Sequence, residues 1–260
     1  MSQLPARDGL NWLKQGFGLF RRQPGAMFTL LLGYMLVMLT ISIVPVAGQI
    51  LPVVLLPLFS MTFLQACADI DHGQRLHPRL LLVGFRKPTV VTMLQLGLLY
   101  LLVAALAVGA TWLVDDGAFW HLVTGELDPK SAIAQQAPLG AALLLAMFVY
   151  IPAGMAFCFG APLICWQHMS LGKALFYSFF AVLRSVKAFL MFILSWFLAS
   201  MLLNQLVLLI FGREEAAVIL MVSVSLLLTL ILHCAFYASY RQIFGTPPAS
   251  EAPPAADAVL

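Results

Sequence analysis

Five stretches of the chain carry no Asp, Glu, Lys or Arg: Gln23 to Ala68, Pro88 to Val114, Ser131 to Gly172, Ala188 to Gly212 and Ala216 to Tyr240. Within them the apolar residues run on continuously and do not alternate with polar ones. This pattern predicts buried helices, not the short alternating strands of a membrane barrel. A charge at the centre of a membrane-spanning helix costs about 2.5–3.5 kcal/mol, and a span needs about 20 apolar residues. The first stretch is long enough for two spans, so six are predicted: Ala26 to Val44, Gly48 to Ala68, Thr89 to Val114, Ala137 to Cys165, Ala188 to Phe211 and Ala216 to Tyr237.

Composition points the same way. The 260 residues are 62% hydrophobic and only 10% charged, with a mean hydropathy of +0.97, whereas about a quarter of a soluble domain is charged. The expectation is an all-α polytopic membrane protein, its six helices paired as three hairpins in one transmembrane domain over residues 1–245. Residues 246–260, rich in Pro and Ala without apolar periodicity, are expected to be a disordered tail. The first apolar run is too long for the core of a cleavable leader and passes at once into a second span, so Met1 is expected to begin the mature chain.

Charge placement sets the orientation. With the amino terminus in the cytoplasm, all fourteen basic residues except Lys130 and Arg213 fall on the cytoplasmic side, as the positive-inside rule demands. The segment Asp115 to Gln136, with Asp115, Asp116, Glu126 and Asp128, then lies outside, and both termini lie inside. Trp112, Trp120, Trp166 and Tyr240 fall near span ends, where amphipathic rings favour the headgroup layer, while Tyr150 sits within the fourth span. The net charge of +3 flanks membrane spans and forms no basic domain, so nucleic acid is not an expected partner.

Similar phrases precede the hairpins: Leu19-Phe20-Arg21-Arg22-Gln23-Pro24, Gly84-Phe85-Arg86-Lys87-Pro88 and Val182-Leu183-Arg184-Ser185-Val186-Lys187. Gly9 to Arg21 also aligns without a gap on Gly172 to Arg184. Either a threefold repeat or ordinary basic anchors would give this pattern. In the first copy Leu10, Leu13, Phe17 and Phe20 follow helical spacing behind Asp8, a candidate N-cap. Short cytoplasmic amphipathic helices are therefore expected, with Arg21, Arg22, Arg86, Lys87, Arg184 and Lys187 as candidate contacts to lipid headgroups.

Candidate chemistry is sparse. Pro152 and Pro162 should kink the fourth span, with Ala156 and Gly160 as a small packing pair, and Pro52 and Pro57 should bend the second. Gln65, Gln95, Asn204, Gln205 and His233 are polar at membrane depth, where such side chains usually face protein or a water-filled cavity. Of these, Asn204, Gln205 and His233 are expected to hydrogen-bond between helices. Asp69, Asp71, His72 and His77 cluster beyond the second span, but at no metal-site spacing and beside competing arginines, so a solvated loop is expected. Cys67, Cys158, Cys165 and Cys234 lie in apolar segments and read as small buried hydrophobes. No pattern of a nucleophile, metal protease or phosphate loop accompanies the serines. No catalytic residue, cofactor or metal is assigned.

The basic phrases, with Asp69-Ile70-Asp71-His72-Gly73 followed by Leu80-Leu81-Leu82-Val83-Gly84-Phe85-Arg86, resemble those of uncharacterised integral membrane proteins of betaproteobacteria. The resemblance implies an inner-membrane location and assigns no activity. The leading expectation is a non-enzymatic inner-membrane protein acting through contacts with membrane lipids or a membrane-protein partner, as in envelope maintenance. The alternative is a transporter or channel for a neutral or amphiphilic molecule, which calls for a cavity lined by Gln95, Asn204 or Gln205.

Overall fold

The computed structural model describes residues 4–45, 47–128, 131, 138–212 and 214–249. Ten α-helices are formed by the described residues: α1 (Arg7–Phe20), α2 (Pro24–Ser42), α3 (Ala47–Asp71), α4 (Val90–Asp115), α5 (Ala118–Val123), α6 (Leu139–Cys158), α7 (Gly160–Gln167), α8 (Leu171–Arg184), α9 (Val186–Phe211) and α10 (Glu215–Phe244). A 3-10 helix, Pro78–Phe85, joins α3 to α4. The six predicted spans correspond to α2, α3, α4, the pair α6 and α7, α9, and α10, each long and apolar enough to cross a bilayer. At 1.5 Å per residue the 25 residues of α3 extend about 37 Å, beyond a hydrocarbon core of about 30 Å.

Local signals set the helix ends. Pro24 opens α2, where its missing N–H costs nothing. The chain turns after α4 through Asp116 and Gly117, both left-handed, while the Asp115 carboxylate accepts hydrogen bonds from the N–H groups of Gly117 (3.1 Å) and Phe119 (2.8 Å) and so starts α5. That short helix was not anticipated in the acidic segment; Lys130 and Arg213 lie outside the described residues. Gly245, with φ of 96°, ends α10.

Helix α3 forms the axis of the bundle: 67% of its apolar window is buried, against 17–22% in the other spans. Helices α2, α4, α10 and the 3-10 segment pack around it. Small residues permit the close approaches that substitute for a hydrophobic driving force in lipid. A Cβ on Gly97 would lie 1.9 Å from the Val54 carbonyl oxygen, and one on Gly84 2.3 Å from that of Leu58.

The amphipathic approaches are helical before the first and fifth spans, where α1 and α8 are each 14 residues long; before the third span the corresponding phrase begins in the last two residues of the 3-10 helix. Their contacts differ. Helix α1 lies in the cleft between α9 and α10, with Gly9 against the Ala188 carbonyl and Gly16 against the Ala235 backbone, whereas Gly172 of α8 faces open space. The buried face of α1 is Gly9, Trp12, Gly16, Leu19 and Phe20; of the stripe read from the sequence Phe20 is buried and Leu13 partly so, while Leu10 and Phe17 are exposed. Asp8 lies inside the first turn and makes no capping bond, since the helix begins beyond Ala6.

Burial is concentrated at the end of the bundle where the described chain begins and finishes, its terminal end. Helix α2 buries only Met27, Leu30 and Leu31, and α9 buries Ala188, Phe189, Phe192 and then just Val207. Trp12, Phe159, Tyr237 and Tyr240 are fully or almost fully buried there. Toward the opposite end large apolar side chains stand exposed, reaching 80% for Leu209 and 84% for Leu113, a surface suited to hydrocarbon.

Candidate functional site

At the terminal end, polar side chains tie distant parts of the chain together. Trp12 Nε1 donates to Gln242 Oε1, and Gln242 Nε2 donates to Asp8 (2.9 Å), joining α1 to α10. The Asp71 carboxylate accepts from Arg241 and from the Tyr237 hydroxyl (3.0 Å), while the same guanidinium donates to Gln15 (2.8 Å). Three helices thus meet on one half-buried ion pair. Farther round, Trp166 Nε1 donates to Gln65 Oε1 (2.7 Å), and Gln65 Nε2 donates to Asp69 and to the Pro248 carbonyl. Gln167 donates to Tyr240 (3.1 Å). The cluster expected as a solvated loop is therefore partly structural: Asp69 is buried, Asp71 is paired, and His72 Nδ1 donates to the Ala68 carbonyl.

Trp166 and Tyr240 belong to this network and not to a headgroup belt; Tyr240 is 1% exposed. Nor does the tail trail free from Thr246, because Pro247 is buried and Pro248 is bonded to Gln65; residues 250–260 lie outside the described residues. Cys67 and Cys234 are buried with their sulfurs 3.1 Å apart, and all four cysteines are free thiols.

The fourth span breaks at Phe159. Pro162 cannot donate to the Cys158 carbonyl, and its ring crowds that oxygen. One residue beyond Cys158 the helix is opened by a side chain from α8: Ser178 Oγ accepts from the Phe159 N–H and donates to the Met155 carbonyl, both at 2.8 Å. The hydroxyl thus stands between two groups that an unbroken helix would pair with each other. The Phe159 ring turns into the core, 5.0 Å from Phe236 and 5.3 Å from Phe244.

Beside this break lies a cavity of about 430 Å³, enclosed by α3, α4, α6, α7, α9 and α10. Leu64, Ala161 and Phe192 are buried and form its floor, whereas Leu56, Gly154 and Ile193 on its rim are exposed on the outer surface of the bundle. These three rim residues stand within their spans and not at the ends, so the opening lies sideways, on the flank of the bundle. Among the described residues, no charged side chain lines the cavity. Of its polar groups, Ser60 donates to Pro57 O and His233 Nδ1 to Thr229 O, both at 2.8 Å, and the Tyr100 hydroxyl is directed to Phe157 O (3.4 Å).

Among the intramembrane polar candidates, His233 alone lines this cavity, its ring 4.8 Å from Phe63. Gln95 and Gln205 are exposed on the surfaces of α4 and α9. Asn204 donates to Ser200 O (2.9 Å). The bonds of His233 and Asn204 stay within their own helices, contrary to the interhelical partnership expected of them. The carbonyl of the preceding turn is the acceptor each of them reaches.

The basic candidates do not gather in one place. Arg21 stands over the Phe17 ring at 5.7 Å, and Arg22 is exposed nearby. Arg184 and Lys187 are exposed on either side of buried Ser185, where α8 passes into α9. Arg86 and Lys87 do come together, lining a second cavity of about 440 Å³ at the start of α4.

A probable inner membrane protein of the betaproteobacterium Burkholderia thailandensis is 34% identical over 267 aligned positions, covering 98% of both chains. The chain belongs to that family. It is accordingly a multi-pass inner-membrane protein, as its six spans and sequence resemblance implied. No family model matches the chain, and no solved structure matches it.

Proposed function

We propose that this inner-membrane protein acts without catalysis, by holding a lipid in the lateral cavity, and that it serves the cell envelope through that contact. The observation that supports this reading is the sideways opening. A floor of buried apolar side chains with a rim on the hydrocarbon-facing surface admits an acyl chain from the bilayer without passage through water. Absence of charge in the cavity favours a chain over a polar solute, because an ionic group there would lack a partner. The transport reading called for Gln95, Asn204 or Gln205 around a path, and none of the three lines either cavity described above. In the proposed orientation the terminal end, with its polar network, faces the cytoplasm.

Lipid retained by the purified chain tests the proposal. Gly154 lines the cavity and a Cβ on it meets nothing within 4 Å, so Gly154→Phe is the variant chosen to crowd the cavity mouth. Native mass spectrometry in mild detergent should find lipid on the wild type and markedly less on the variant. A wild-type chain carrying none, or equal retention by both, refutes the reading.

A further inference from the structure

The second cavity is built differently from the first. Arg86 and Lys87 are adjacent in sequence and both line it, as does His168 at the end of α7. Among the described residues neither Arg86 nor Lys87 forms an ion pair; the pairs present are His121 with Glu126 and Asp71 with Arg241. No carboxylate among the described residues lines the cavity. Two neighbouring cations raise each other's energy, and an anion seated between them relieves it. Helix α4 begins three residues after Lys87, so the positive end of a 26-residue helix adds to the same field.

Two further features distinguish this niche from an ordinary basic surface. Its wall is fixed in advance, because Trp166 is bonded to Gln65 and Gln65 to the Pro248 carbonyl. His168 itself adopts φ of 50°, the left-handed region, at a helix-ending position where glycine is the usual occupant. A side chain kept there at a conformational cost has a use that glycine would not serve. We infer that the niche binds the phosphate of an anionic phospholipid, with Arg86 and Lys87 gripping its oxygens and His168 closing one side. The lipid source follows from position: beyond Lys87 the chain carries no charge until Asp115, so the niche stands where hydrocarbon begins. Guanidinium and ammonium groups recognise phosphate through short charge-assisted hydrogen bonds.

The site shares no residue with the lateral cavity and is tested apart from it. Full-length protein in detergent is titrated with phosphatidylglycerol, with phosphatidylcholine of the same chains and with sn-glycerol 3-phosphate, bound ligand being counted by native mass spectrometry. Phosphatidylglycerol should bind roughly tenfold more tightly than phosphatidylcholine, and the preference should fall to about twofold or less in R86Q/K87Q. His168→Gly should raise the melting temperature by relieving the left-handed strain while weakening phosphatidylglycerol binding, a combination that a purely structural histidine would not give. Gly154→Phe should leave the preference intact even where it empties the lateral cavity. Equal affinity for the two lipids, or His168→Gly binding like wild type, overturns the inference. Binding of sn-glycerol 3-phosphate as tight as that of the lipid overturns the assignment to a phospholipid.

Discussion

Replacing Ser178 by Ala removes one oxygen atom and should destabilise the protein well beyond what an ordinary side-chain hydroxyl contributes. The Ser178 side chain is fully buried, and its hydroxyl satisfies both the Phe159 N–H and the Met155 carbonyl. Each buried backbone group left unpaired costs about 1–3 kcal/mol, so the two together set an upper range of about 2–6 kcal/mol. Partial relaxation lowers this, and a loss of about 3 kcal/mol is expected, roughly a 150-fold shift in the unfolding equilibrium. The two groups cannot simply rejoin, because Pro162 keeps the helix broken. In a Pro162→Ala background the helix can close, Phe159 can donate to Met155, and the cost of Ser178→Ala should shrink by at least about 1 kcal/mol. Equilibrium unfolding in mixed micelles of all four members of this cycle measures the coupling. A Ser178→Ala cost below about 0.5 kcal/mol, or one unchanged by Pro162→Ala, would refute the reading of the break.

Other substitutions probe the terminal end. Gly16→Ala places a Cβ 2.4 Å from the Ala235 backbone nitrogen, which neither helix can yield without moving; a loss of about 1–3 kcal/mol is expected, visible as a lower melting temperature in detergent. Gly172→Ala, at the position of α8 that aligns with Gly9, faces open space and should leave that temperature unchanged or slightly raised. Arg241→Gln frees Asp71 from its ion pair; since both side chains are partly exposed (31% and 15%), the loss should be about 1–2 kcal/mol. Recovery of at least half of that loss in an Asp71→Asn, Arg241→Gln double variant is the outcome to look for.

The spans were legible in the sequence because the rule that sets them is severe. A charge is costly in hydrocarbon wherever it falls, so Ala188 to Phe211 could be marked from charge placement and length alone, and α9 ends at the same Phe211. The packing face of α1 was not legible for a related reason. Lipid accepts Leu10 and Phe17 as readily as a protein core does, so in a membrane the apolar stripe does not distinguish inside from outside. The informative signal was size: Gly9 and Gly16 lie seven residues apart on one face, with Trp12 between them, and it is this face that α9 and α10 cover. The Pro162 kink was foreseen, but the hydroxyl that completes it comes from Ser178, on a helix read only for its amphipathicity. Likewise the tie of Asp71 to Arg241 joins residues 170 positions apart, a distance at which one sequence offers no pairing signal. Of the polar candidates, Arg86 and Lys87 could be picked out by their neighbouring charge, whereas the left-handed backbone of His168, which lines the same cavity, has no sequence marker when the residue is not glycine.

Threading through the membrane underlies each of these readings, and accessibility of single cysteines in a cysteine-free background tests it most directly. Cysteines placed at Lys14, Arg79, Lys173 and Glu126 are exposed to a membrane-impermeant maleimide in intact spheroplasts and again after lysis. The account predicts that only the cysteine at position 126 reacts before lysis and that the other three react after it. Labelling at position 79 or 173 in intact spheroplasts would contradict the six-span threading with its basic end in the cytoplasm.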